Sequence, residues 1–93
     1  MTRIGRAIRN ARMQRKMTVS ELAERLGKTP GYISRLEVRG EKPSPDLVFR
    51  IADLLRIPPE QLVKLAKDDL LEGAEKDNDR RFAEAEVLYR RSK

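Results

Sequence analysis

Between Leu26 and Ile33 the chain ends one helix and begins another within three residues. Val19, Leu22, Ala23 and Leu26 recur at helical spacing. Thr18-Val19-Ser20-Glu21 has the form of a capping box, in which the threonine accepts from the backbone and the glutamate reaches back. Gly27 follows where a left-handed residue closes a helix. Thr29 is then an N-cap, and Pro30 suits the first helical position, where a missing N–H is no loss. Ile33 and Leu36 face inward three residues apart, and Gly40 and Pro43 stop the element. Two short helices meet at the turn Gly27-Lys28-Thr29, with the small Ala23 where they nearly touch. This is a helix-turn-helix unit.

The flanking segments are helical too. Arg3, Arg6, Arg9, Arg12 and Arg15 stand at every third position, while Ile4, Ile8 and Ala11, helped by Ala7, define one apolar face. This predicts a first helix over about residues 2–15. Arginines three apart drift by about 60° per step, so they cannot share one stripe. Arg12, one position after Ala11 and four after Ile8, borders the buried face. Ser44-Pro45-Asp46 opens a fourth helix with a cap, a first-position proline and an acid at the positive end. Its inward face is Leu47, Val48, Ile51, Ala52 and Leu55, and Ile57-Pro58-Pro59 breaks it. A fifth helix starts at Pro59-Glu60-Gln61 and carries Leu62, Val63, Leu65 and Ala66. Sustained two-residue alternation is missing, so no sheet is expected.

Charge says where a partner would sit. Residues 1–42 hold eleven Lys and Arg against four Asp and Glu, a net of +7. Residues 43–66 are neutral, and residues 67–93 carry a net of −1. A field confined to one half of the chain suggests a docking face for a polyanion, a nucleic acid or an anionic membrane surface. The basic first helix lacks the large apolar face that membrane-surface binding wants. The chain has no cysteine and no histidine. That excludes a disulfide framework, thiolate and histidine metal sites, and the Ser-His-Asp triad. At 93 residues there is no room for a large cofactor-binding enzyme fold. With no nucleophile–base pair visible, no enzyme, no catalytic residue, no metal and no cofactor is expected. No apolar run reaches the roughly 20 residues of a membrane span, and the N-terminus lacks a signal-peptide stretch, so the expectation is a soluble, cytoplasmic protein.

From Ile4 to about Leu65 the chain resembles the lambda repressor and Cro-like helix-turn-helix family, also called the XRE family. The matching residues are Thr18, Glu21-Leu22-Ala23, Leu26-Gly27, Ile33-Ser34-Arg35-Leu36-Glu37, Gly40, Pro43-Ser44, Leu47, Ile51-Ala52, Leu55 and Ile57. The resemblance implies an all-α, compact five-helix domain over residues 1–66 that binds double-stranded DNA, usually as a homodimer on a two-fold symmetric operator. It also implies that the third helix, about 29–38, enters the major groove, and that Arg12 pairs with Glu37 as a structural ion pair. Two positions depart from the family. Val19 stands where many members have a glutamine, and Lys28 where the turn residue is often apolar.

With Ile33 and Leu36 turned inward, the third helix presents Pro30, Gly31, Tyr32, Ser34 and Arg35. Arg35 is the leading base reader, since a guanidinium can bind guanine O6 and N7 at once. Tyr32 can pack on a thymine methyl, Gly31 allows close backbone approach, and Pro30 completes the reading edge. Thr18, Lys28, Thr29, Ser34, Arg39 and Lys42 are the expected phosphate contacts, with Lys16 and Arg15 adding to the field.

Residues 67–93 form a charged extension, expected to be helical. Leu70, Leu71 and Ala74 can prolong the fifth helix, and Asp77-Asn78-Asp79 reads as a break. Phe82, Ala85, Leu88 and Tyr89 fall on one side of a final helix, and that face needs a partner. It packs back on the domain, forms a dimer or partner interface, or frays. The string Arg81–Tyr89 is similar to part of a tetratricopeptide helix. The sequence therefore reads as a sequence-specific transcription regulator, a repressor. The alternative is an antitoxin-type or other interaction module whose tail binds a partner protein.

Overall fold

A computed structural model describes residues 1–72 and, beyond them, Val87. The four residues Phe82, Ala85, Leu88 and Tyr89, and the expected break at 77–79, lie outside the described residues. Helix α1 spans Arg3–Gln14, α2 Val19–Leu26, α3 Pro30–Val38 and α4 Pro45–Leu55. A fifth helix, α5, covers 59–72. Among the described residues there is no strand.

Each helix begins where its cap dictates. Thr2, Thr18, Thr29 and Ser44 all adopt extended backbone and accept from the N–H three residues on. The capping box at Thr18 and Glu21 is complete in both directions. Gly27 is left-handed at φ 67° and ends α2. Two other ends reach the same geometry with some strain, because their residues carry a Cβ: Lys16 has φ 53° after α1, and Arg56 has φ 54° after α4.

Inward faces merge into one core. Ile4 and Ile8 of α1, Leu22, Ala23 and Leu26 of α2, and Ile33 and Leu36 of α3 are all buried. They pack with Leu47, Val48, Ile51, Ala52 and Leu55 of α4 and with Leu62 of α5. Helix α3 lies against both α2 and α1, and α4 closes the other side of that pair. Arg15 ties α1 to α4, its Nε donating to the Leu55 carbonyl at 2.9 Å. That bond satisfies a carbonyl in the last turn of α4.

Helix α5 passes residue 66 without interruption, and its later turns reach the start of α1. Asp69 is buried, and its two carboxylate oxygens accept from the backbone N–H of Arg3 and of Ile4, each at 2.9 Å. Thr2 Oγ1 accepts from Gly5 N at 2.9 Å, and the Thr2 carbonyl accepts from Arg6 N. The first N–H groups of α1 are thereby all satisfied. One turn along α5, Glu72 takes both Nη groups of Arg3. Those hydrogen bonds hold the Glu72 carboxyl below the usual glutamate range.

Asp69→Ala should lower stability by about 1–2 kcal/mol, the scale of a missing helix cap. Urea denaturation followed by far-UV circular dichroism checks this, with Asp69→Asn falling between the two. A chain cut after residue 66 should melt lower than the full chain for the same reason. An Asp69→Ala midpoint equal to that of the parent would show that the carboxylate does not cap α1.

Candidate nucleic-acid interface

The turn between α2 and α3 is built from backbone. Gly27 N–H and Lys28 N–H donate to the carbonyls of Glu24 and Ala23 at 3.1 and 2.8 Å, closing the end of α2. Thr29 Oγ1 then accepts from Tyr32 N–H at 3.1 Å and starts α3. Because Ile33, Leu36 and Glu37 are the buried residues of α3, its opposite face is presented outward. Pro30, Gly31, Ser34 and Arg35 are exposed, and Tyr32 is half-buried against the core.

The back of α3 is held by charge. Arg12 of α1 forks onto Glu37, Nε to Oε2 at 2.8 Å and Nη2 to Oε1 at 3.0 Å. Its remaining Nη1 donates to the Met17 carbonyl at 2.8 Å. The side chains keep only 11% and 3% of their surface. One guanidinium therefore fixes α1, the α1–α2 loop and the last turns of α3. The hydrogen bonds to Glu37 raise the Arg12 pKa above its ordinary value, so the cation persists at any working pH.

Gly5 makes a second contact at the same place. A Cβ at Gly5 would stand 2.6 Å from the Leu36 carbonyl oxygen and 2.8 Å from that of Glu37. Helix α1 and the end of α3 thus meet so closely that only glycine fits between them. Periodicity gave no sign of this.

On the outward face four residues converge. Tyr32 lies between two cations, with Lys28 Nζ 5.4 Å and Arg35 Cζ 5.8 Å from its ring centroid. Arg35 Nε donates to Glu41 Oε2 at 3.1 Å. Burial chiefly, with Glu41 nearby, raises the Tyr32 phenol above its usual value, so its hydroxyl remains a donor. Arg35 leans back along the helix, and its Nη1 passes 3.7 Å from where a Gly31 Cβ would be. Glu41 is a member of this face that the sequence did not reveal. Only the closing of the loop at Gly40, φ 77°, brings position 41 back over α3.

The expected phosphate contacts fall in two groups. Thr29 and Ser34 sit on the start and outer face of α3, with Lys28 on the turn before it and Arg39 and Lys42 on the loop after it. Thr18 lies apart, at the start of α2. Lys28, Ser34, Arg39 and Lys42 are exposed. Arg15 donates through Nε to the Leu55 carbonyl at the end of α4 and keeps its positive charge. Val19, where the family often has glutamine, instead packs partly into the core. Among the described residues no acidic cluster could hold a metal ion.

A helix-turn-helix family model matches residues 8–62, more than half of the chain, and covers α1 from its second turn through the start of α5. The chain belongs to the XRE, lambda repressor-like helix-turn-helix family. No curated protein and no solved structure gives a significant match. The family is one of DNA-binding regulatory domains. In this helix-turn-helix protein the matched span contains the turn at Gly27, the Arg12–Glu37 fork and the whole outward face of α3. Asp69 and Glu72, which complete the start of α1, lie beyond it. Among the described residues no helix is long and apolar enough to cross a membrane.

Proposed function

We propose that this protein is a sequence-specific DNA-binding transcription regulator, acting as a repressor, that seats α3 in the major groove. The observation that carries the reading is the exposed face Pro30, Gly31, Ser34 and Arg35, clamped from behind by the buried Arg12–Glu37 fork. A reading face needs a rigid back, because base contacts tolerate little misplacement. Arg35 reads guanine O6 and N7, Tyr32 meets a thymine methyl, and Pro30 and Gly31 let the backbone approach. Lys28, Thr29, Ser34, Arg39 and Lys42, with Thr18 from α2, take phosphates and fix the register. A net of +7 over residues 1–42 steers the duplex to this side. The protein works as a homodimer on a two-fold symmetric operator, with half-sites about one helical turn apart.

The test is selection of duplexes from a random pool by the full chain, then fluorescence anisotropy over a salt series. Arg35→Ala should lose about 1–3 kcal/mol per half-site at one G·C pair and little elsewhere. Arg39→Ala and Lys42→Ala should weaken all sequences alike and flatten the salt slope by about 0.9 for each phosphate left unneutralised. A pool that never enriches, with binding abolished at modest salt for parent and variant alike, would overturn sequence reading. A protein partner of residues 67–93 would then be the reading to pursue.

A further inference from the structure

We propose that Glu41 is a specificity-determining positioning residue, holding the Arg35 guanidinium so that its outer fork faces guanine. This rests on the assignment of Arg35 as base reader above.

Three observations support it. Glu41 accepts from Arg35 through Nε, at 3.1 Å, on the inner edge of the guanidinium. The bidentate fork of the two η nitrogens is not used in that bond. Glu41 is itself fixed to the same residue by backbone, its N–H donating to the Arg35 carbonyl at 3.2 Å. Gly40, left-handed at φ 77°, makes that fold-back possible. The side-chain and backbone bonds therefore form one closed loop around Arg35. The Arg35 guanidinium carbon also lies over the Tyr32 ring, 5.8 Å from its centroid, within cation–π range. Arginine has many rotamers, and an unheld one gives up its freedom when it binds. Here Glu41 holds the Nε edge and the Tyr32 ring lies beneath the cation, so part of that cost is met before DNA arrives.

The carboxylate has a second consequence. It stands within a basic face, between Arg39 and Lys42 in sequence and beside Arg35 in space. It repels phosphate wherever the duplex does not supply a base edge for Arg35. Glu41 therefore strengthens discrimination and weakens bulk binding, whereas a simple phosphate-binding loop would do neither. An arginine held through Nε must approach guanine end-on, with Nη1 and Nη2 on O6 and N7.

The experiment uses the full chain, a selected duplex, the same duplex with the Arg35-dependent G·C pair replaced, and bulk DNA. Kd is measured for the parent, Arg35→Ala, Glu41→Ala and Glu41→Gln. Glu41→Ala should lower the ratio between selected and replaced duplex by about threefold to tenfold, part of the Arg35 contribution. It should bind bulk DNA more tightly. Glu41→Gln keeps an acceptor oxygen and should recover part of the ratio. In the free protein, the Arg35 Nε–H resonance should be protected from exchange in the parent and exposed in Glu41→Ala. Equal gains on all three DNAs, with the ratio unchanged, would reduce Glu41 to plain repulsion and overturn the positioning role while Arg35→Ala still loses the G·C preference. Should Arg35→Ala leave that preference intact, the base-reading assignment falls, and the role of Glu41 with it.

Discussion

Glu37→Ala should cost the domain about 3–5 kcal/mol, the range seen when one member of a buried ion pair is removed. The magnitude follows from what is left behind. Arg12 keeps only 11% of its side-chain surface, and two of its three donor arms end on Glu37. Without the carboxylate, a cation stays in a site that water reaches poorly. Domains of this size are stable by only about 5–15 kcal/mol in all, so the loss is a large share. It corresponds to a fall in Tm of at least about 12 °C. Thermal melts read by circular dichroism give the number. A double variant, Arg12→Met with Glu37→Leu, removes both charges and should recover most of the loss, because apolar side chains of similar size often replace such pairs without penalty. It should still bind the selected DNA less well, since Nη1 of Arg12 also anchors the α1–α2 loop at Met17. An unchanged Tm in Glu37→Ala would show that the fork carries no stability.

What is legible in the sequence is local. Capping at Thr18, Thr29 and Ser44, the stop at Gly27 and the prolines at 30 and 45 act within four residues, and each helix starts where they say. The apolar inward residues of α2, α3 and α4 follow from periodicity, whereas the buried Glu37 is expected only from the family resemblance. What stays hidden is paired across distance. Asp69 reaches Arg3 and Ile4 over more than sixty positions, and nothing in a charged run such as Lys67-Asp68-Asp69 marks which acid turns inward. The boundary expected after residue 66 falls inside α5, on the N-terminal side of that contact. Arg15 is indistinguishable from its neighbours in the arginine series until α4 supplies the Leu55 carbonyl. Glu41 looks like one more loop charge, because its partner depends on how Gly40 folds. Arg56 and Lys16 end helices in the left-handed region without being glycine, so the usual stop signal is missing there. The outward face of α3 is legible in the same way as its core face. Of the restraints on that helix, the Arg12–Glu37 pair is expected from the family resemblance, and the Glu41 contact is not legible in the sequence.

Gly5→Ala should destabilise the domain by about 2 kcal/mol net, although alanine is the better helix former. Two effects compete. Replacing glycine inside a helix gains about 0.8–1 kcal/mol in propensity. Against it, the added Cβ would overlap the Leu36 and Glu37 carbonyl oxygens at 2.6 and 2.8 Å, and the Thr2 Oγ1 that caps α1 at 2.8 Å. Overpacking of this kind costs about 1–3 kcal/mol and occasionally more. Here the higher end applies, because two of the three atoms are backbone and cannot rotate away. Relief requires α1 and the last turn of α3 to part, which strains the Arg12–Glu37 fork. Gly31→Ala is the matched control. A Cβ there meets Arg35 Nη1 at 3.7 Å and Thr29 Oγ1 at 4.0 Å, ordinary van der Waals distances. It should gain up to about 1 kcal/mol in stability. Its cost should appear instead in DNA affinity, because the methyl group stands on the face that approaches the groove. Chemical denaturation of both variants, followed by anisotropy with the selected duplex, separates these signs. Gly5→Ala as stable as the parent would mean that the spacing between α1 and α3 is not set by this glycine. Gly31→Ala binding as tightly as the parent would mean that the backbone of α3 does not come close to DNA at that point.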